Sequence, residues 1–288
     1  MAVYVTSDAH GHVRALDAAL SAASPATDDE IYFLGDMVDR GPDPLGVIGL
    51  VRSLPGVRVL MGNHERLMLD ALACSGAPRN SAFDLSEFDR EAFFGWTDWT
   101  NNGGATTMAQ LETLASEDYA DVIGWVASLS LHAATRAGGR TFAFAHAGIN
   151  PIRMAAWRAD HVGADLNDPK VLDEALDDQD PEDLLWIREA FWGYPTGLVD
   201  AAGEGPVVVV GHTPSTYLAL YAGDPDLVCT TEDGHGMVVA LGATPATGGV
   251  ADRVDIDCAA AAGYGVGRVG VLRLDDGAVW YAEVEEGE

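Results

Sequence analysis

Five short apolar runs in this sequence each stop at a residue able to bind a metal ion. Asp8 and His10 follow run 2–6, Asp36 follows 31–34, and Asn63 with His64 follows 57–61. His146 follows 141–145 and His212 follows 207–210. Imidazole and oxygen donors without thiolate suit manganese, iron, zinc or cobalt rather than a structural zinc site. A carboxylate among them can bridge two ions about 3.5–4 Å apart, a pair that clamps an in-line phosphoryl displacement. Water held by such ions is acidified, giving hydroxide near neutral pH.

Each residue alone has a plainer explanation. An aspartate that ends a strand is often a helix N-cap, and a lone histidine is more often a hydrogen-bonded core residue. Six coincident plain explanations are needed to dismiss the set. Other candidates stay outside it. His12, two residues past His10, reads as a supporting or exposed residue at a helix start. His132, His161 and His235 sit in no motif and read as surface residues. Glu65 reads as a cap of the helix after Asn63, and Asp257 as a structural acid at a late strand end.

The elements that must present these residues are readable from periodicity. Runs 2–6, 31–34 and 57–61 are separated by stretches 13–23 and 44–54, whose apolar spacing suits helices. This is a β-α-β-α-β order, in which unbroken apolar runs mark parallel strands buried on both faces. Ligands bind beyond the carboxyl ends of such strands. About 67–131 lacks strand-like runs and is rich in aromatic residues (Phe83, Phe88, Phe93, Phe94, Trp96, Trp99, Trp125). It reads as a helical insertion over the sheet edge. Segment 165–183 reads as an acidic loop with a short helix, and 184–192 as helical. Runs 237–241, 253–257, 269–274 and 279–284 suggest a mostly antiparallel sheet. The fold class expected is α/β, with two packed sheets flanked by helices.

Composition narrows the classes. The 288 residues carry a net charge of −29 with Lys170 the sole lysine, so nucleic acid and anionic membranes are repelled at long range. A solvated acidic surface explains this charge, and adaptation to high salt is the sharper alternative. No run approaches the length needed to span a bilayer. The first residues read as a buried strand rather than a secretory signal, so a cytoplasmic location is expected. Cys74, Cys229 and Cys258 are scattered and read as small buried apolar residues.

The blocks Asp8-Ala9-His10-Gly11, Gly35-Asp36-Met37-Val38-Asp39-Arg40-Gly41 and Gly62-Asn63-His64-Glu65 resemble the signature of the calcineurin-like metallophosphoesterases. Phe144-Ala145-His146-Ala147-Gly148 and Gly211-His212-Thr213 match the later histidine blocks. The likeness is closest to the phosphoprotein phosphatase branch, in its bacterial serine/threonine form, and covers roughly the whole chain. It implies one domain over 1–288, a four-layer αββα sandwich of two mixed sheets with a helical cap at about 67–131. It implies two divalent ions, manganese first, with iron, zinc, cobalt or nickel as alternatives. Asp8, His10 and Asp36 would hold one ion, and Asp36, Asn63, His146 and His212 the other. A bridging hydroxide would attack phosphorus, and His64 would protonate the leaving alkoxide while Asp39 orients it. Arg40 would bind phosphate oxygens through its planar fork, with Asn63 beside it. Leu184-Leu185-Trp186-Ile187-Arg188 resembles a helix that supplies a second phosphate-binding arginine, here Arg188; the plain alternative is a surface pair with Glu189 or Asp183. Trp99 to Thr107 resembles a cap segment of the same enzymes.

Two substrates compete. Phosphoserine, phosphothreonine or phosphotyrosine in a protein is one, and a dinucleoside polyphosphate such as diadenosine tetraphosphate is the other. Symmetrically cleaving relatives commonly lack the aspartate of the Asp-Arg-Gly block, so Asp39 favours the phosphatase. A catalytically inert metal-binding module is the third reading, and intact His64, Asp39 and Arg40 oppose it.

Overall fold

The computed structural model describes residues 1–75 and 89–288, without the side chains of 74 and 75. The expected Phe83 and Phe88 of the helical insertion, and the Cys74 side chain, lie outside that description.

The chain begins with β1 (Val3–Thr6), α1 (Val13–Ala23), β2 (Glu30–Phe33), α2 (Pro44–Ser53) and β3 (Val57–Val59). β1 pairs with β2 and β2 with β3, both in parallel. A helical stretch follows: α3 (Asn63–Ser75), α4 (Arg90–Asn101), α5 (Ala105–Leu111) and α6 (Ser116–Ala127). Next come β4 (His132–Ala137), β5 (Arg140–Ala145), α7 (Pro151–Asp160), α8 (Pro169–Asp177), α9 (Pro181–Trp186) and α10 (Glu189–Trp192). The chain ends with β6 (Val207–Val210), α11 (Ser215–Ala222), β7 (Val239–Leu241), β8 (Arg253–Asp255), β9 (Arg268–Arg273) and β10 (Val279–Glu283).

Two five-stranded mixed sheets result, in the orders β10-β9-β1-β2-β3 and β4-β5-β6-β8-β7. The late strands do not form a sheet of their own, as their turns suggested. β9 and β10 add antiparallel to the first sheet, whereas β8 pairs in parallel with β6 and β7 antiparallel with β8. The segment 184–192, expected as one helix, breaks at Ile187 and Arg188 into α9 and α10. Arg188 adopts φ −130°, ψ −84°, outside the helical region.

Successive side chains of a strand point to opposite faces. Val3 and Val5 of β1 and Val207 and Val209 of β6 therefore meet between the sheets, with Tyr32, Leu34, Phe142 and Phe144. Tyr4 packs on the helix side of the first sheet with Leu16, Val47 and Met68. Val208 and Val210 pack on the helix side of the second with Ile149, Leu172 and Phe191. Three apolar layers thus separate four structural ones, which is why the runs read as unbroken. Four helices start at an Asx-Pro pair: Asp43, Asn150, Asp168 and Asp180 each accept a backbone N–H of the turn that follows. Among the described residues no helix is long and apolar enough to cross a membrane.

Candidate metal centre

The carboxyl ends of β1, β2, β3, β5, β6 and β8 release the loops that carry Asp8 and His10, Asp36, Asn63, His146, His212 and Asp257. The loops stay tied beyond the strands: Asp8 N donates to Gly35 O, His10 N to Asp36 O and Gly11 N to Met37 O, each at 3.0 Å, and Gly211 N to His146 O at 2.8 Å. Among the described residues, six of the eight non-glycine positions with positive φ are Asp8, His10, Asp36, Asp39, Arg40 and His212. Such backbone strain persists where the surroundings over-determine it and gathers at functional sites.

Second bonds orient the imidazoles. His10 gives its Nδ1–H to Val38 O at 3.0 Å and His146 gives its own to Leu34 O at 2.8 Å, so Nε2 of each turns inward. Those nitrogens flank one carboxylate: His10 Nε2 lies 3.4 Å from Asp36 Oδ2, and His146 Nε2 lies 3.5 Å from Asp36 Oδ1. Asn63 Oδ1 accepts from His146 Nε2 and from His212 Nδ1, both at 2.8 Å. His212 Nε2 is buried without a hydrogen-bond partner.

Charge follows the same geometry. Burial works against charge on His146, but Asp36 and Asp8 overcome it and lift its pKa to about 9. It then donates through both nitrogens. Burial also opposes the ionised form of Asp36, yet His146, His64 and His10 hold it well below the usual carboxylate range. Burial lowers His10 and His212 and keeps them neutral. Burial, with Asp257 next, raises Asp8.

This donor set fits a pair of divalent cations. Ligand atoms of His10, Asp36 and His64 lie within 4.8 Å of one another, as do those of Asp36, His146 and His212. Asp36 belongs to both groups, His212 Nδ1 and His146 Nε2 converge on Asn63 Oδ1, and the proton on His146 Nε2 is one that a cation would displace. Asp8, expected as a ligand, stands slightly apart. Both its oxygens accept from His212 N at 3.1 Å, and Oδ1 is 4.0 Å from His10 Nε2.

The residues expected around the metals are also brought together. His64 Nδ1 donates to Asp39 Oδ2 at 2.7 Å. Arg40 reaches His64 Nε2 with Nη2 at 2.8 Å and His10 Nε2 with Nη1 at 3.2 Å. Arg188 makes no ion pair with Asp183 or Glu189; its Nη2 points to His212 O at 3.5 Å and its guanidinium sits 5.7 Å from the Tyr221 ring centre. Asp257, pushed up to about 6 chiefly by burial, binds Ala259 N. His12 is not exposed but buried, with Nδ1 unpartnered. Glu65 does more than cap a helix. Besides Gly62 N it accepts from the N–H groups of Asp36, Met37 and Val38. Its partners lie up to 29 residues away, so no local pattern announces them.

Residues 1–243 match the calcineurin-like phosphoesterase family. The chain is 36% identical over 103 residues to the symmetrical bis(5'-nucleosyl)-tetraphosphatase of Photorhabdus laumondii, covering 33% of this chain and 37% of that protein. It is equally similar to the protein of that name from Pectobacterium carotovorum, over 33% and 36% of the two chains. The chain thus matches about a third of the length of these curated relatives. Its fold resembles a crystal structure provisionally assigned as a diadenosine tetraphosphatase (TM-score 0.53, 16% identity, 99% and 94% of the chains covered). It also resembles a serine/threonine phosphatase from Saccharomyces cerevisiae (TM-score 0.50, 13% identity, 99% and 81% covered). With Asp8, His10, Asp36, Asn63, His146 and His212 all inside the matched region, the chain belongs to the calcineurin-like phosphoesterase family.

Proposed function

We propose that the protein, as one domain with a helical cap, hydrolyses phosphate monoesters of alcohols, with phosphoserine or phosphothreonine in proteins as the principal substrate class and phosphotyrosine as a further one. Two divalent ions, manganese first, held by Asp8, His10 and Asp36 and by Asp36, Asn63, His146 and His212, would supply Lewis acidity and a lowered pKa for water. The observation that carries the choice of substrate is the 2.7 Å bond between His64 Nδ1 and Asp39 Oδ2.

That bond keeps one proton on Nδ1 and leaves Nε2, facing the centre, as the atom that would take up and give the second. Arg40 rests on His64 and His10. A phosphate that takes both guanidinium donors frees His64 Nε2 to bear a proton, and Asp39 stabilises the imidazolium. Arg188 and Asn63 contribute to holding the remaining oxygens. An alkoxide leaves poorly unless protonated, whereas a nucleotide leaving from a phosphoanhydride is already a weak base. A buried acid pair is therefore better suited to an alkyl monoester.

The second reading, dinucleoside polyphosphate hydrolysis, is favoured by the names of the sequence relatives. Manganese-loaded protein assayed side by side on phosphopeptides and diadenosine tetraphosphate separates the two, with His64→Asn as the blank. Faster turnover of the dinucleotide, undiminished in His64→Asn, would replace the first reading by the second.

A further inference from the structure

Asp39 and Arg40 are consecutive residues with φ of 70° each, a left-handed pair that neither side chain favours. What holds them comes from α4, α5 and the turn between them. Asp39 N donates to Thr107 Oγ1 at 2.8 Å, and the same hydroxyl donates to Asp39 Oδ1 at 2.6 Å. Trp99 Nε1 lies 3.0 Å from both oxygens of Asp39. Arg40 N donates to Gly103 O at 3.0 Å. Asp39, Trp99 and Thr107 are all buried without measurable exposure.

The turn is shaped for this contact. A Cβ on Gly103 would lie 2.7 Å from Arg40 Cγ, and one on Gly104 would lie 2.6 Å from Trp99 Nε1. Asn102-Gly103-Gly104 thus lets the indole and the arginine stem close on the loop. Trp96 meets Trp99 edge-on at 5.5 Å and keeps the indole in place.

We infer that Trp99 and Thr107 are positioning residues for proton donation: they orient the Asp39 carboxylate so that Oδ2 meets His64 Nδ1. This rests on the proposed role of His64. In that step water forms the new P–O bond and the ester P–O bond breaks. The proton on His64 Nε2 passes to the departing oxygen, and the neutral imidazole is reprotonated from solvent. Thr107 occupies Oδ1, Trp99 restrains rotation of the carboxylate plane, and Oδ2 is left for His64. The helical insertion is then a brace for the acid as well as a cover.

The test compares Thr107→Val, Thr107→Ser and Trp99→Phe with His64→Asn, all manganese-loaded, on a phosphoserine peptide and on p-nitrophenyl phosphate. Valine keeps the shape of threonine without the hydroxyl; serine keeps the hydroxyl. For Thr107→Val and Trp99→Phe, kcat on the peptide is expected to fall about 10- to 100-fold and kcat on p-nitrophenyl phosphate less than about threefold, a fraction of the full contribution of a general acid. KM stays near wild type, and Thr107→Ser restores most of the peptide activity. If His64→Asn is selective for the peptide while Thr107→Val and Trp99→Phe lose both activities equally, or lose neither, the positioning role is overturned. If His64→Asn itself loses both equally, the role of His64 fails and this inference falls with it. Should Thr107→Val not fold, Trp99→Phe still decides through the low-field proton resonance of His64 Nδ1–H, recorded on metal-free protein. That resonance is expected to move upfield in the variant; an unmoved resonance refutes the brace.

Discussion

Glu65 holds Asp36 by its backbone: Oε2 accepts from Asp36 N at 2.8 Å and from Gly62 N at 2.9 Å, while Oε1 takes Met37 N at 2.8 Å and Val38 N at 3.3 Å. One buried carboxylate thereby fastens the loop after β2 to the loop after β3. The carboxylate shared by both groups of candidate metal ligands is aimed from below, by a residue that cannot itself reach a metal while it holds four N–H groups.

Glu65→Gln puts an amide donor where two N–H groups now point at an oxygen. Buried donors left without an acceptor are costly. The variant is expected to lose about 2–4 kcal/mol of stability, in the upper range for single substitutions. Urea unfolding of metal-free protein measures this apart from any effect on metal binding. An unchanged midpoint would show that the loops are held by something else.

Asp36 and His212 differ in how many candidate ions they touch. Asp36→Asn removes the charge common to both ligand groups, so elemental analysis is expected to find neither ion bound. His212→Ala removes a member of only one group and is expected to leave about one equivalent, because the other site keeps its own ligands. Two ions retained in Asp36→Asn would contradict a shared carboxylate.

Arg188 stands over His212 O rather than in a surface ion pair. Its cationic fork suits a phosphate oxygen, so Arg188→Ala is expected to raise KM for phosphate esters about 10-fold with metal content unchanged. Wild-type KM combined with a lowered melting temperature would reduce Arg188 to a support of the His212 loop.

The candidate metal ligands stood out because most follow a buried strand, and burial on both faces leaves an unbroken apolar run; β3, which precedes Asn63, is half-buried and has Arg58 exposed at its middle. Helix α1 was legible to the residue for a similar reason, its apolar stripe of Ala15, Leu16, Ala19, Leu20 and Ala23. β4 was not. Its sequence His-Ala-Ala-Thr-Arg-Ala is only half-buried at a sheet edge and carries a single β-branched residue. α7 escaped notice although Asn150-Pro151 announces it by the same Asx-Pro pair that starts α8 and α9. Sheet membership of β8 and β9 could not be read, since a strand's pattern shows which faces are buried but not which neighbour it pairs with. Trp99, Thr107 and Glu65 act on partners 60, 68 and 29 residues away. Side chains of that kind look like ordinary core or cap residues until the chain is folded.

Asp8 accepts from the backbone of His212 across 204 residues of sequence. Loop closure over that span is among the slowest kinds of contact to form. A nascent chain cannot bring both groups of candidate ligands together until both sheets exist and have met, and a fragment that ends before residue 212 lacks a member of one of them. Catalytic competence would therefore arrive in a single late event, which keeps a hydrolytic centre from acting while its protein is still being made.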